Sequence, residues 1–215
     1  MKKIFKPVLM MMSLMVVAPA SMAAGDAAAG EGKAVMCAAC HGSDGNSPAP
    51  NFPKLAGLGE KYLIKQMQDI KNGSRNVPEM TGLLNGYTDE DIANVAAFFN
   101  SKPLQLSGSK EIEVQVNSGI KVDGLALGEK TYRAGNPKVG TPACTGCHSP
   151  SGKGNDPAGY PRLGGQHAAY IEKQLRDFRA GNRVNDGDTK TMREVAANLS
   201  DAEIVALANY IAGLN

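Results

Sequence analysis

Asn51–Arg75, NFPKLAGLGEKYLIKQMQDIKNGSR, runs in step with Gly159–Arg183, GYPRLGGQHAAYIEKQLRDFRAGNR. The offset is 108 throughout, with no gap: Pro53 falls on Pro161, Leu55 on Leu163, Gly57 on Gly165, Tyr62 on Tyr170, Gln66 on Gln174, Asp69 on Asp177 and Arg75 on Arg183. A second block, Thr88-Asp89-Glu90-Asp91-Ile92 against Ser200-Asp201-Ala202-Glu203-Ile204, aligns at offset 112. Self-similarity at a fixed spacing marks a duplicated structural unit, here of about 85–90 residues. Each copy reads as helical. Tyr62, Leu63, Ile64, Met67 and Ile70 recur at helical spacing and Gly73 stops the run; Tyr170, Ile171, Leu175 and Phe178 repeat it and Gly181 ends it. The last helix of each copy starts at Thr88 and at Ser200, the second with Glu203 placed for a capping box. A short helix is expected before each cysteine pair, at Asp26–Met36 and Leu125–Arg133. The expected fold is therefore all-α, two tandem domains at 24–105 and 125–215. The irregular linker between them, 106–124, contains one alternating stretch, Glu111–Val116, that suits a short extended segment.

The ends and the charge narrow the class. Lys2, Lys3 and Lys6 precede an apolar run from Val8 to Ala18, and Ser21-Met22-Ala23 offers small residues for cleavage, so 1–23 reads as a secretory signal peptide. The run is about half the ~20 residues a membrane span requires. The whole chain carries 23 basic and 21 acidic residues. Three of the lysines lie in the leader, which leaves 20 against 21 beyond it, a net charge of −1. No basic excess remains to support nucleic-acid binding. The exported remainder divides unevenly, 24–105 carrying seven basic and nine acidic residues and 127–215 eleven and nine, so the two halves should form a dipole.

Cys37-Ala38-Ala39-Cys40-His41 and Cys144-Thr145-Gly146-Cys147-His148 are both C-x-x-C-H, the attachment pattern of c-type haem. One helical turn separates the two thiols, so both reach the same edge of a porphyrin, and the next residue presents an imidazole to the iron. A disulfide framework, a thioredoxin-like pair and a shared four-cysteine zinc site compete with this reading. They are weakened by the following His in both copies, by the missing β-α-β pattern and by the placement of one complete motif in each repeat. The expected cofactors are two covalently bound haems c, linked through Cys37, Cys40, Cys144 and Cys147.

The other axial ligand emerges by elimination. Only Met36, Met67, Met80 and Met192 lie outside the leader. Met36 adjoins Cys37, and Met67 aligns with Leu175, a core position. Met80 and Met192 each stand eight residues before the cap of the final helix. The expected iron ligands are thus His41 with Met80 and His148 with Met192, the second methionine on a longer loop. Core packing is the competing reading for both methionines. The spare His167, which aligns with Gly59, could replace Met192. His/Met ligation fills both axial sites and suits electron transfer rather than substrate chemistry, so no catalytic residue is assigned. Pro53 and Pro161 are placed to offer a carbonyl to each proximal imidazole N–H. Tyr62, Tyr170, Arg75 and Arg183 either approach haem propionates or belong to the core and surface.

On CAACHG at 37–42, CTGCHSP at 144–150, the FPKLAG and YPRLGG segments and the two methionines, the chain resembles the diheme cytochrome c4 family, two tandem class I cytochrome c domains. The resemblance covers everything after the leader. It implies a periplasmic one-electron carrier of a respiratory chain, with approximate two-fold symmetry between the domains and the haems facing across their interface. It further implies a monomer that associates peripherally with the membrane, a quinol–cytochrome c reductase as donor and a terminal oxidase as acceptor. Two other functions compete: the electron-accepting cytochrome subunit of an exported dehydrogenase of the flavocytochrome type, and a diheme enzyme with an open iron. The positive second half disfavours an oxidised haem, so its haem is expected to have the higher potential.

Overall fold

The computed structural model describes residues 25–215; the expected leader at 1–23 lies outside them. In the first half, α1 (Ala27–Ala34) leads through a 3-10 turn into α2 (Ala38–His41), followed by α3 (Glu60–Lys71) and α4 (Asp89–Asn100). The second half repeats the order with α5 (Gly124–Ala134), α6 (Thr145–His148), α7 (Ala168–Ala180), α8 (Thr191–Ala197) and α9 (Asp201–Gly213). The fold is all-α in each half, as expected from the periodicity.

The first and last helices of each half cross closely because the sequence supplies glycine at the crossing. A Cβ on Gly30 would lie 2.0 Å from the Asn94 carbonyl oxygen, and one on Gly128 would lie 2.2 Å from that of Ala206. Only a residue without a side chain lets the two backbones meet. Around these crossings, Leu63, Val95, Phe98 and Phe99 form the first core, and Tyr132, Ile171, Phe178, Ile204 and Leu207 the second. Both final helices carry a complete capping box. Thr88 Oγ1 accepts the Asp91 N–H while the Asp91 carboxylate accepts the Thr88 N–H, and Ser200 and Glu203 make the same exchange. Two of the orphan amides at each helix start are thereby satisfied. The box at Thr88 uses Asp rather than Glu, which is why only the second was evident in the sequence.

The connection contains a hairpin. β1 (Glu113–Gln115) pairs antiparallel with β2 (Lys121–Asp123), Val114 opposite Val122. Its apolar face, Ile112, Val114, Val116 and Val122, packs on Ala202, Val205 and Ala206 of α9. Upstream of the hairpin, Gly108 N–H donates to the Ala212 carbonyl, and Lys110 exchanges two hydrogen bonds with the Asn209 side chain. Backbone and apolar contacts together fix the connection to the second half.

The two halves meet through polar side chains taken from the repeat itself. Arg75 donates to Gln66 of its own half (2.9 Å) and to Tyr170 (3.0 Å) and Gln174 (3.3 Å) of the other. Arg183 mirrors it, donating to Gln174 (2.7 Å), Tyr62 (3.2 Å) and Gln66 (2.9 Å). Asn185 adds bonds to Gln66 and Asp69. Approximate two-fold symmetry is written into which repeat residues face each other.

Candidate haem sites

Each proximal histidine sits on a one-turn helix. α2 ends at His41 and α6 at His148, and the C-terminal boundary of each is a residue at positive φ, Gly42 (φ 79°) and Ser149 (φ 65°). That reversal turns the chain under the imidazole. His41 Nδ1 lies 2.8 Å from the Pro53 carbonyl oxygen, and His148 Nδ1 lies 2.9 Å from that of Pro161. With Nδ1–H donating, the free lone pair is at Nε2, the tautomer a metal ligand needs. Burial pushes the pKa of both imidazoles below the ordinary histidine value, against the pull of the carbonyl bond. Both are therefore neutral at neutral pH. An aromatic ring stands edge-on to each: Phe52 at 6.3 Å from His41, Tyr160 at 6.2 Å from His148.

None of Cys37, Cys40, Cys144 and Cys147 is paired in a disulfide, so each pair is available to a haem. Beside Cys37, Cys40 and His41 opens a cavity of 650 Å³ whose apolar wall includes Leu55, Leu63, Val95 and Phe99. Met80 lines it too, so the structure brings the expected cysteine pair, histidine and methionine of the first half around one space. Arg75 and Arg183 reach the same cavity from the interface, along with Tyr62 and Tyr170. An apolar slot bounded by two thiols, a neutral imidazole, a thioether and two guanidinium groups fits a haem, with its apolar ring and anionic carboxylates. The hydrogen bonds across the interface answer part of the question left open for the two Tyr–Arg pairs. They join the halves and border this cavity at once.

The second half differs on the methionine side. Met80 closes a 3-10 turn, Pro78–Met80. Met192 is the second residue of α8 and packs, half-buried, against the second core. The expected longer loop is thus only partly a loop: the extra residues form a turn and then a helix. That turn is held by Asp186, whose carboxylate accepts from the Arg193 backbone N–H (2.9 Å) and Nε (2.7 Å). Burial would raise the Asp186 pKa, but the Arg193 bonds hold it below the usual carboxylate range.

His167, the alternative ligand, is engaged elsewhere. Its Nε2 lies 2.8 Å from the Ser47 carbonyl oxygen and its Nδ1 3.0 Å from Ser107 Oγ, so it ties the second half to the first and to the connection.

Comparisons with known proteins show the family and the overall fold. The family model described as "Cytochrome c" matches twice, at residues 27–102 and 126–215. A cytochrome c4 of Stutzerimonas stutzeri is 57% identical over 203 residues, covering 90% of this chain and 91% of that protein. The crystal structure of reduced recombinant cytochrome c4 from Pseudomonas stutzeri superposes with a TM-score of 0.82 at 54% identity, covering 89% of this chain and 100% of that one. More distantly, a thiosulfate dehydrogenase electron acceptor of Thiomonas intermedia is 34% identical over 196 residues, covering 91% of this chain and 83% of that protein.

Proposed function

Because the chain belongs to the cytochrome c family, and within it to the two-haem cytochromes c4, it is an electron carrier with two covalently bound haems rather than an enzyme, and we propose that it delivers electrons to a terminal oxidase in the periplasm. A quinol–cytochrome c reductase is the donor in this reading. The division into domains at 24–105 and 125–215, with 106–124 between them, belongs to the same proposal, as do export through the signal peptide at 1–23, a monomeric state and peripheral membrane association. Among the described residues no helix is long and apolar enough to cross a membrane.

The roles follow from the chemistry of the residues. Cys37 and Cys40, and Cys144 and Cys147, hold the two haems through thioethers. His41 and His148 would each hold an iron through the ring nitrogen left free by the Nδ1–carbonyl bond, the imidazole being made more basic and fixed in orientation by the carbonyls of Pro53 and Pro161. Met80 and Met192 would each offer a thioether sulfur to the iron of their own half. When bound, each haem supplies a one-electron couple whose potential a thioether ligand raises. Arg75 and Arg183, which line the cavity, would supply cations for haem carboxylates. The observation that carries the reading is the duplicated donor set: a carbonyl-anchored imidazole directly after a pair of cysteines outside any disulfide, once in each half.

Mixing the reduced protein with membranes that contain a terminal oxidase, under stopped-flow conditions, tests the acceptor. Rapid oxidation of both haems, abolished by an oxidase inhibitor, is expected. Oxidation no faster than the uncatalysed rate would reject the oxidase as acceptor. The likeness to the thiosulfate dehydrogenase electron acceptor favours a second reading, reduction by an exported dehydrogenase. Rapid reduction on mixing with such an enzyme and its substrate would support that reading.

A further inference from the structure

The peptide group that anchors each proximal histidine is held at its other end by the opposite half of the molecule. In the first half, the Pro53 carbonyl accepts from His41 Nδ1–H. The N–H of that same Pro53–Lys54 peptide belongs to Lys54, and it donates 2.9 Å to Oε1 of Gln166 in the second half. Gln166 is 3% exposed and Lys54 5%, so no solvent competes for this bond. The amide orientation is fixed from three sides: Nε2 donates to the Lys54 carbonyl at 2.9 Å, while the Lys54 and His167 N–H groups converge on Oε1.

The second half answers with the same device built from other atoms. Its Pro161 carbonyl accepts from His148, and the N–H of the Pro161–Arg162 peptide donates 3.1 Å to the Leu58 carbonyl of the first half. Leu58 and Gln166 occupy the same repeat position, at offset 108. One half thus lends a backbone carbonyl and the other a side chain. Only the side-chain acceptor can be removed by substitution.

We propose that Gln166 is a positioning residue for the haem of the first half, acting across the domain interface through the Pro53–Lys54 peptide. An acceptor on the N–H end of a peptide polarises the group and makes its carbonyl a stronger acceptor. The stronger Pro53 carbonyl draws His41 Nδ1–H further toward it and makes the imidazole a more basic iron ligand. A more basic ligand favours the oxidised metal. Gln166 therefore lowers the potential of the first haem, and each half sets part of the redox poise of the other. The inference rests on His41 being an axial ligand.

The test uses the full haem-loaded protein, with spectroelectrochemical potentials assigned to each haem by the NMR of the haem methyl groups. Gln166→Met, similar in volume but with no amide acceptor, is expected to raise the first haem's potential, changing its reduction equilibrium by about twofold to fourfold. The second haem should not move, and the His41 Nδ1–H resonance should shift upfield as its hydrogen bond weakens. Gln166→Glu keeps an acceptor for the Lys54 N–H and must not raise the potential. His167→Ala loosens the neighbouring contact to Ser47 without touching the Pro53–Lys54 peptide and must leave the first haem unchanged. An unmoved first haem in Gln166→Met, an equal shift in both haems or the same shift in His167→Ala would each overturn the proposal. Spectra lacking histidine ligation at the first haem would instead overturn the ligand assignment, so the two failures are separable.

Discussion

The two halves agree on the histidine side of the site and part company on the methionine side. His41 and His148 each end a one-turn helix, each donate to a proline carbonyl within 0.1 Å of the same length, and each face an aromatic edge. By contrast, Met80 closes a 3-10 turn five residues after Arg75, whereas Met192 lies in the first turn of a helix nine residues after Arg183. The physical reason lies in the constraints. In the proposed site, two covalent links and one imidazole would leave the C-x-x-C-H segment and its proline no latitude. A methionine has three rotatable bonds and can reach the same point from different backbones. The segment that carries it was therefore free to acquire the Asp186–Arg193 clasp.

Substitution of each methionine gives the largest expected effect and tests the comparison directly. Met80→Ala and Met192→Ala should each abolish the methionine–iron charge-transfer band of one haem and leave that of the other, as read from oxidised spectra. Should Met192→Ala leave both bands intact, the equivalence of the two methionine segments fails. The helix crossings should come next. Gly30→Ala and Gly128→Ala each place a Cβ inside a backbone carbonyl and should destabilise the half concerned by about 1–3 kcal/mol or more. Denaturant melts of the haem-loaded protein followed at both haems would report this, and equal loss at both haems would mean that the halves unfold as one unit.

The caps rank lower. Thr88→Ala and Ser200→Ala should each cost about 1 kcal/mol, measured the same way. Their pH dependence follows from the carboxylates. The Lys33 bond and the bonds to Thr88 bring Asp91 down to about 2. A carboxylate held low in the folded state contributes stability above its unfolded value that is lost as pH falls through the folded one. The wild-type melting temperature should thus fall between about pH 4 and pH 2 more steeply than that of Asp91→Asn. Parallel curves would remove Asp91 from the account. The smallest expected effect is the difference in potential between the haems, the second higher because its half carries +2 against −2. Reversed potentials in single-methionine variants would contradict it.

Much of this was legible in the chain because it repeats. The offset of Pro53 and Pro161 locates the two carbonyl anchors, and the paired spacing of Met80 and Met192 singles them out from Met36 and Met67. What the repeat did not disclose lies where the halves differ or touch. The helix at Met192 has no counterpart to align with. The hairpin at Glu113–Asp123 is three residues a strand, and its stability comes from packing on α9 rather than from local propensity. The roles of Arg75 and Arg183 depend on partners about a hundred residues away, as does that of Gln166, and no local pattern encodes such pairing.

A redox titration followed by absorption spectra, together with a haem assay per chain, bears most directly on the central claim. Two haems per chain are expected, titrating as two one-electron steps, each with the signature of one histidine and one methionine ligand. A single haem per chain, or a haem lacking the methionine band in the untouched protein, would contradict the paired-site account.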